Sequence, residues 1–266
     1  MDFYINEIID DAQAKEILRT DPEGLSAQAK VLAEEFIRTG TCDMPKGGML
    51  PLFVCAYVAD HTLEINTKRG IPREMTVAIL RDVNLWIGNY YKQFGVPGTN
   101  EFAWLSFQLR GEIFRLGRLQ FRPVKNGNNR APSGEWVLET HVPQGEPLDP
   151  QKCLESFAMA KEFFPKYFPE VKADYFDCHS WLLNPNFAYL LDDTSNIVNF
   201  GKLWTLKRID VGNCSATINR VFGFGFKRED LPNAPENTTL QRKVKEFLLN
   251  GGDLSNTYAY RALDAE

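Results

Sequence analysis

Two of the three histidines in the chain each follow a carboxylate by two residues, in the pairs Glu139/His141 and Asp177/His179. Both pairs fall in segments that read as β-strands, and side chains two residues apart lie on one face of a strand. An imidazole oriented by a carboxylate is a general base near neutral pH, so both histidines are candidate bases. The alternatives are that the four side chains bind one metal ion, or that each histidine is a structural strand residue.

The strands that carry the two pairs are predicted at Trp136–Val142 and Ala173–Leu182, joined by a helix that begins at Asp149. Two strands connected by a helix usually lie parallel and adjacent in one sheet. Ligands bind beyond the carboxyl ends of such strands, so we expect the two imidazoles to face a shared pocket. Cys178 points to the opposite face from His179, which predicts a core thiol and not a nucleophile.

Tyr189 is a candidate acid, in a short helix predicted at Pro185–Leu191 after the second of these strands. A tyrosine hydroxyl directed back toward the strand ends can protonate a leaving thiolate. The alternative is an aromatic ring packed on the sheet.

The surrounding elements predict a helical front half and a mixed α/β back half, with a domain boundary that gives residues 1–111 and 112–266. Apolar residues at helical spacing, with caps and stops, predict helices at 25–38, 49–67, 72–95, 99–111, 149–164 and 238–251. Strands are expected at 112–122, 136–142 and 173–182, and extended segments at 197–209 and 216–226. A loop is expected at 124–135, since this stretch is rich in Gly, Asn and Pro.

Composition excludes several classes of protein. The net charge of −5 argues against a nucleic-acid partner, and no apolar run is long enough to cross a membrane. The beginning of the chain lacks the pattern of a secretory signal, and five scattered cysteines fit reduced thiols, so we expect a cytoplasmic protein.

A basic cluster is the one candidate for phosphate binding, with a solvated edge strand as the alternative; its members are Arg115, Arg118, Arg122, Lys125 and Arg130.

Two long stretches of the sequence resemble a bacterial acyltransferase-domain family. They are Gly95–Phe121, with GVPGTNEFAWLSFQLRGEIFRLGRLQF, and Leu138–Phe200, with LETHVPQGEPLDPQKCLESFAMAKEFFPKYFP, DCHSWLLNP and SNIVNF. Members of that family pair a helical N-acyltransferase-type N-terminal domain with a GNAT-like C-terminal domain. The resemblance implies that two strands splay apart and admit acyl-CoA between them, and that an amine accepts the acyl group. It also implies that Tyr189 lies where many GNAT enzymes carry their acid tyrosine.

The segment from His141 to Pro150 departs from the GNAT pattern R/Q-x-x-G-x-G/A, which binds the CoA diphosphate through backbone N–H groups. Three prolines and two acidic residues occupy it, and Gln144 and Gly145 remain as cofactor contacts together with Lys152. No metal is expected. The function predicted is acyl transfer from a thioester to a small-molecule amine, and the alternatives are a metal-dependent enzyme and a non-catalytic GNAT-like binding module.

Overall fold

The computed structural model describes residues 1–127 and 130–265, so two residues of the predicted loop at 124–135 lie outside the described part. The chain divides into two compact units, Met1–Arg115 and Leu116–Glu266. No helix within the described residues is long and apolar enough to cross a lipid bilayer.

The first unit is helical. After a π-helical turn at Tyr4–Ile8, its helices are α1 (Ala12–Thr20), α2 (Ser26–Thr39), α3 (Leu50–Lys68), α4 (Arg73–Leu80), α5 (Val83–Phe94) and α6 (Phe102–Leu109). The single helix predicted at 72–95 is therefore two helices. They separate around Asp82, whose Oδ2 accepts hydrogen bonds of 2.9 Å from the indoles of Trp86 and Trp104 and from the Gln108 amide.

From Phe114 onward the chain forms a six-stranded sheet in the order β1-β2-β3-β4-β6-β5. The strands are β1 (Phe114–Leu116), β2 (Leu119–Lys125), β3 (Trp136–His141), β4 (Ala173–Ser180), β5 (Thr205–Ile209) and β6 (Thr257–Ala262). The helices are α7 (Pro150–Tyr167), α8 (Phe187–Leu190), α9 (Asn196–Gly201), α10 (Ser215–Phe222) and α11 (Thr239–Leu249). β3 and β4 are parallel, as predicted for strands joined by α7. The predicted fold class, a helical N-terminal part followed by a mixed sheet with helices, is confirmed.

α7 covers one face of this sheet with its predicted apolar stripe. Phe157 contacts Phe121 of β2 and Phe176 of β4, with ring centroids 5.8 and 4.7 Å apart. Cys178 lies on the same buried side, and burial raises the pKa of its thiol well above the ordinary value. The prediction of a core thiol is confirmed, and the opposite sheet face is the one that carries the two histidines.

Other predictions differ from the structure. The strand predicted at 112–122 is a hairpin, in which Gly117 at φ 68° forms the turn between β1 and β2. The extended segment predicted at 197–209 begins as helix α9, and only its last part is extended, as strand β5. Most of the segment predicted at 216–226 is helix α10, because Cys214, Ile218 and Phe222 are buried at helical spacing. β6 was not predicted at all. α7 continues to Tyr167, beyond the predicted end at residue 164, and includes Pro165 in its last turn.

Candidate active site

β3 and β4 place the two predicted histidine–carboxylate pairs on one face of the sheet. The parallel ladder ends where Glu139 is opposite Asp177. His141 and His179 lie two residues further along, where the ladder no longer joins the strands. Their side chains are 31% and 32% exposed, so solvent reaches both rings.

Three basic side chains surround the Glu139 carboxylate. His141 Nε2 lies 3.0 Å from its Oε2, Arg130 Nη1 donates to its Oε1 at 2.6 Å, and Arg122 Nε also donates to Oε2. Burial by itself would raise the pKa of this carboxyl, but hydrogen bonds and charge from His141 and Arg122 outweigh burial and hold the pKa far below its usual range. Glu139 is therefore ionised at neutral pH and orients His141, as predicted.

Asp177 belongs to the same cluster and does not steer His179, which corrects the sequence prediction. Its Oδ2 accepts from Arg130 Nη1 at 2.9 Å, whereas its Oδ1 is buried without a hydrogen-bond partner among the described residues. The side chain is 2% exposed, and burial raises the pKa of the carboxyl although Arg130 opposes the shift. Arg130 thus joins the carboxylates of β3 and β4 at the last rung of the ladder.

The carboxylate that orients His179 is Asp210, which follows β5. Asp210 Oδ2 lies 2.9 Å from His179 Nε2, and since an ionised carboxylate can only accept, Nε2 carries the proton. No described residue hydrogen-bonds to Nδ1, the other ring nitrogen. Burial lowers the pKa of His179, and the hydrogen bond to Asp210 offsets only part of that shift. His179 is therefore neutral near pH 7 and presents a free basic nitrogen.

Two further residues around His179 were missed by the sequence analysis. The ring of Tyr258 in β6 stacks on the imidazole at a centroid distance of 3.7 Å and an interplanar angle of 10°. The guanidinium of Arg208 lies 4.2 Å from the Tyr258 ring centre, and its Nε is 3.4 Å from Asp210 Oδ1. The alternating polar residues Arg208 and Asp210 were the available signal, but without β6 nothing connected them to β4.

Tyr189 lies in α8, as predicted, but its side chain is 86% exposed. It lines a surface depression of about 310 Å³ together with Leu190 and α11 residues that include Lys243 and Phe247. Among the described residues, no hydrogen bond or ring contact joins Tyr189 to β3 or β4. The side chain is therefore not at the ends of β3 and β4, where it was predicted. It is also not packed on the sheet, which was the alternative.

The connection from β3 to α7 is already occupied by internal hydrogen bonds. Asp149 caps α7 and accepts from the backbone N–H groups of Gln151 and Lys152 at 2.8 and 3.1 Å. Arg118, which is 4% exposed, donates to the backbone carbonyls of residues 143, 146 and 147. The N–H groups that would bind a diphosphate at the start of α7 therefore have an acceptor, and Gln144, Gly145 and Lys152 are left exposed beside them.

Replacing Asp149 by alanine should lower the free energy of unfolding by about 1 kcal/mol, the usual effect of losing an N-cap. Chemical denaturation measures the loss. Asp192→Ala is the matched control, because Asp192 is exposed and its side chain makes no hydrogen bond to a described residue. Equal stability of the two variants would show that the cap contributes nothing.

The basic residues predicted as a phosphate-binding cluster are mostly engaged within the protein. Arg118 binds backbone carbonyls, Arg122 and Arg130 bind Glu139, and Lys125 pairs with Glu135. They form neither a free phosphate site nor a row of solvated edge residues.

The arrangement predicted for a metal is not formed either. Arg130 Nη1 bridges Glu139 and Asp177, and His179 is turned to Asp210, so the four predicted ligands do not converge. Within residues 1–127 and 130–265, no three His, Cys, Asp or Glu side chains are grouped so that they could hold a metal ion. The side chains at the ends of β3 and β4 therefore pair with neighbouring acids and bases.

Comparisons with known proteins identify both parts of the chain. Residues 4–111 match the family model of the N-acyltransferase N-terminal domain, and residues 113–260 match that of the GNAT-like C-terminal domain. A crystal structure of an acyltransferase in complex with decanoyl-CoA and teicoplanin is 24% identical, with a TM-score of 0.83 over 98% of this chain and 87% of its own. A second crystal structure of an acyltransferase, in complex with decanoyl-CoA, is 25% identical, and its TM-score is 0.82. The match covers 98% of this chain and 86% of that one. None of the curated proteins compared with the chain matches it.

The match to the C-terminal domain covers more than half of the chain, and the match to the N-terminal domain accounts for most of the remainder. The chain therefore belongs to the family of proteins in which an N-acyltransferase N-terminal domain precedes a GNAT-like C-terminal domain.

Proposed function

We propose that this protein transfers an acyl group from acyl-CoA to a primary amine on a small molecule, with His179 as the general base. The observation that carries the proposal is the free Nδ1 of a neutral imidazole, fixed by Asp210 beyond the point where the β3–β4 ladder ends. Family membership supports acyl transfer as the reaction, and the solved structures with decanoyl-CoA support a thioester donor.

The reaction needs the amine in its neutral form. In the proposed mechanism the amine nitrogen attacks the thioester carbonyl, His179 Nδ1 takes the proton that the nitrogen loses, and Asp210 stabilises the resulting imidazolium. The carbonyl oxygen gains negative charge in the tetrahedral intermediate. Backbone N–H groups of β3 and β4 beyond the Glu139–Asp177 rung are free of the ladder that joins these strands, and they are suited to stabilise that oxygen. Collapse of the intermediate breaks the C–S bond.

The CoA diphosphate is held differently from other GNAT enzymes in this proposal, because Asp149 already occupies the first N–H groups of α7. Lys152 and the exposed backbone around Gln144 and Gly145 are the nearest candidates to contact the donor. His141 and its Glu139 partner serve as the alternative base. Five free thiols, four of them buried, favour a reducing compartment, so we place the reaction in the cytoplasm.

A transfer assay tests the proposal directly. The full chain is incubated with decanoyl-CoA or octanoyl-CoA and with primary amines, namely glucosamine, spermidine and teicoplanin, and release of CoA and acylated amine is followed. Product formation that depends on both substrates is expected. Thermal stabilisation by decanoyl-CoA is expected as well, since a ligand that binds only the folded state raises its stability.

The second candidate function is a binding module without transfer, and the occupied start of α7 favours it. Stabilisation by decanoyl-CoA, with no acylated product from any of the amines, would support that reading over catalysis. If decanoyl-CoA gives no stabilisation and no acylated product forms, both candidate functions are contradicted.

A further inference from the structure

Four side chains around His179 form a closed ring of contacts that the proposed base mechanism uses only in part. Asp210 binds His179 at 2.9 Å and Arg208 at 3.4 Å, Arg208 lies 4.2 Å from the ring centre of Tyr258, and Tyr258 stacks on His179 at 3.7 Å. These contacts form two pairs, and each pair joins one group that carries a proton to one charged group. His179 is paired with an anion, and Tyr258 with a cation.

The Tyr258 hydroxyl has no hydrogen-bond partner among the described residues, although its ring contacts both His179 and Arg208. Tyr258 is directly opposite His179 in the β4–β6 ladder, so its side chain lies on the same sheet face as the base. The side chain is only partly buried. A phenol that is held rigidly, accessible and unpartnered next to a catalytic base is available to a substrate.

We propose that Tyr258 is the acid that protonates the departing thiolate, a role that rests on the acyl transfer proposed above. When the C–S bond of the tetrahedral intermediate breaks, the sulfur takes the hydroxyl proton of Tyr258 and leaves as CoA thiol. The electron pair of the O–H bond stays on the tyrosine oxygen. His179 meanwhile holds the proton taken from the amine.

The two fixed charges match the two charges that this step creates. Asp210 stabilises the imidazolium of His179, and the Arg208 guanidinium stabilises the phenolate of Tyr258. His179 then releases its proton to solvent and Tyr258 takes one up, which restores both groups. The balance is one amine and one thioester consumed, and one amide and one thiol released.

Tyr258→Phe tests the assignment, because it removes the hydroxyl and keeps the ring that stacks on His179. With decanoyl-CoA and hydroxylamine, a small amine that is unprotonated at pH 7 and needs little recognition, kcat should fall about 100-fold, while KM for decanoyl-CoA changes about twofold or less. Tyr260→Phe is the matched control. Tyr260 lies on the same strand and face, and its hydroxyl has no described partner, but it is opposite Asp177 and not His179.

A change of leaving group separates an acid from a residue that only positions His179. S-phenyl thiodecanoate releases a far more acidic thiol that needs no proton, so Tyr258→Phe should reduce its turnover less than about fivefold relative to the unaltered chain. Equal losses with both donors, or a loss no larger than that of Tyr260→Phe, would overturn the assignment. If the unaltered chain transfers decanoyl groups to no amine at all, the proposed function itself fails. If transfer persists unchanged in Tyr258→Phe, only the role of Tyr258 fails.

Discussion

Replacing His179 by asparagine should lower kcat for acyl transfer from decanoyl-CoA by about 10²–10³-fold, the usual contribution of a general base. Asparagine preserves polarity and approximate size but supplies no basic nitrogen. The rate is measured with an amine that is protonated at pH 7, such as glucosamine or spermidine. With hydroxylamine the loss should be several-fold smaller, because that amine depends less on a base.

His141→Asn is the control for this prediction, because His141 has the same exposure and a carboxylate partner of its own. If His179 is the base, His141→Asn should keep kcat within about tenfold of the unaltered chain. A larger loss from His141→Asn than from His179→Asn would assign the base to the Glu139/His141 pair instead.

The pH dependence of kcat gives a second test of the same residue. Because burial lowers the pKa of His179, the neutral, active form persists below the pH at which an ordinary histidine protonates. Asp210 opposes that shift, so Asp210→Asn should move the acidic limb to still lower pH and reduce kcat, since the imidazolium loses its anion. An acidic limb that stays in place in Asp210→Asn would show that a different group titrates.

Replacing Glu139 by glutamine should lower the free energy of unfolding by about 3 kcal/mol, because it removes the anion shared by Arg122, Arg130 and His141. Glu139 is 12% exposed, so solvent only weakly screens the basic side chains that lose their partner. Chemical denaturation at neutral pH measures the change. Glu135→Gln is the matched control, because its partner Lys125 is exposed and such surface pairs contribute well under about 1 kcal/mol.

The effect of Glu139 on stability has a defined sign with pH. Its folded pKa lies below the ordinary value, so its contribution is complete above the pKa of an unfolded glutamate and is lost as the pH falls toward the folded pKa. The stability difference between the unaltered chain and Glu139→Gln should therefore shrink between about pH 5 and pH 3. Asp177 opposes this trend, since its pKa is raised and its ionised form costs stability as the pH rises. A difference that is constant with pH, or no larger than that of Glu135→Gln, would contradict the role assigned to Glu139.

Much of the scaffold followed from local patterns in the sequence. The apolar stripe of α7, the two flanking strands and their parallel arrangement come from short-range periodicity and the rule for strand–helix–strand units. The chemistry at Glu139 and His141 followed in the same way, because both residues lie on one strand and their two-residue spacing alone brings them together.

The back third of the chain was predicted less well for a physical reason. α10 contains Thr217, Ile218 and Val221, whose branched side chains favour strands, yet burial at helical spacing decides its structure. β6 is a short alternating segment close to the end of the chain, and its pairing partner β4 is some 80 residues earlier. Local propensity carries no information about pairing at that range.

The sequence by itself determined which face of each strand a side chain occupies, and therefore that both histidines and both carboxylates share one face of the sheet. Only the tertiary structure decided which charges meet. Insertion of β6 between β4 and β5 sets Tyr258 against His179, and the turn after β5 brings Asp210 to His179. Asp177 binds Arg130, whereas the two-residue spacing along the strand paired it with His179. Alternation along a strand fixes direction, whereas partners are fixed by strand order, which depends on contacts between distant segments.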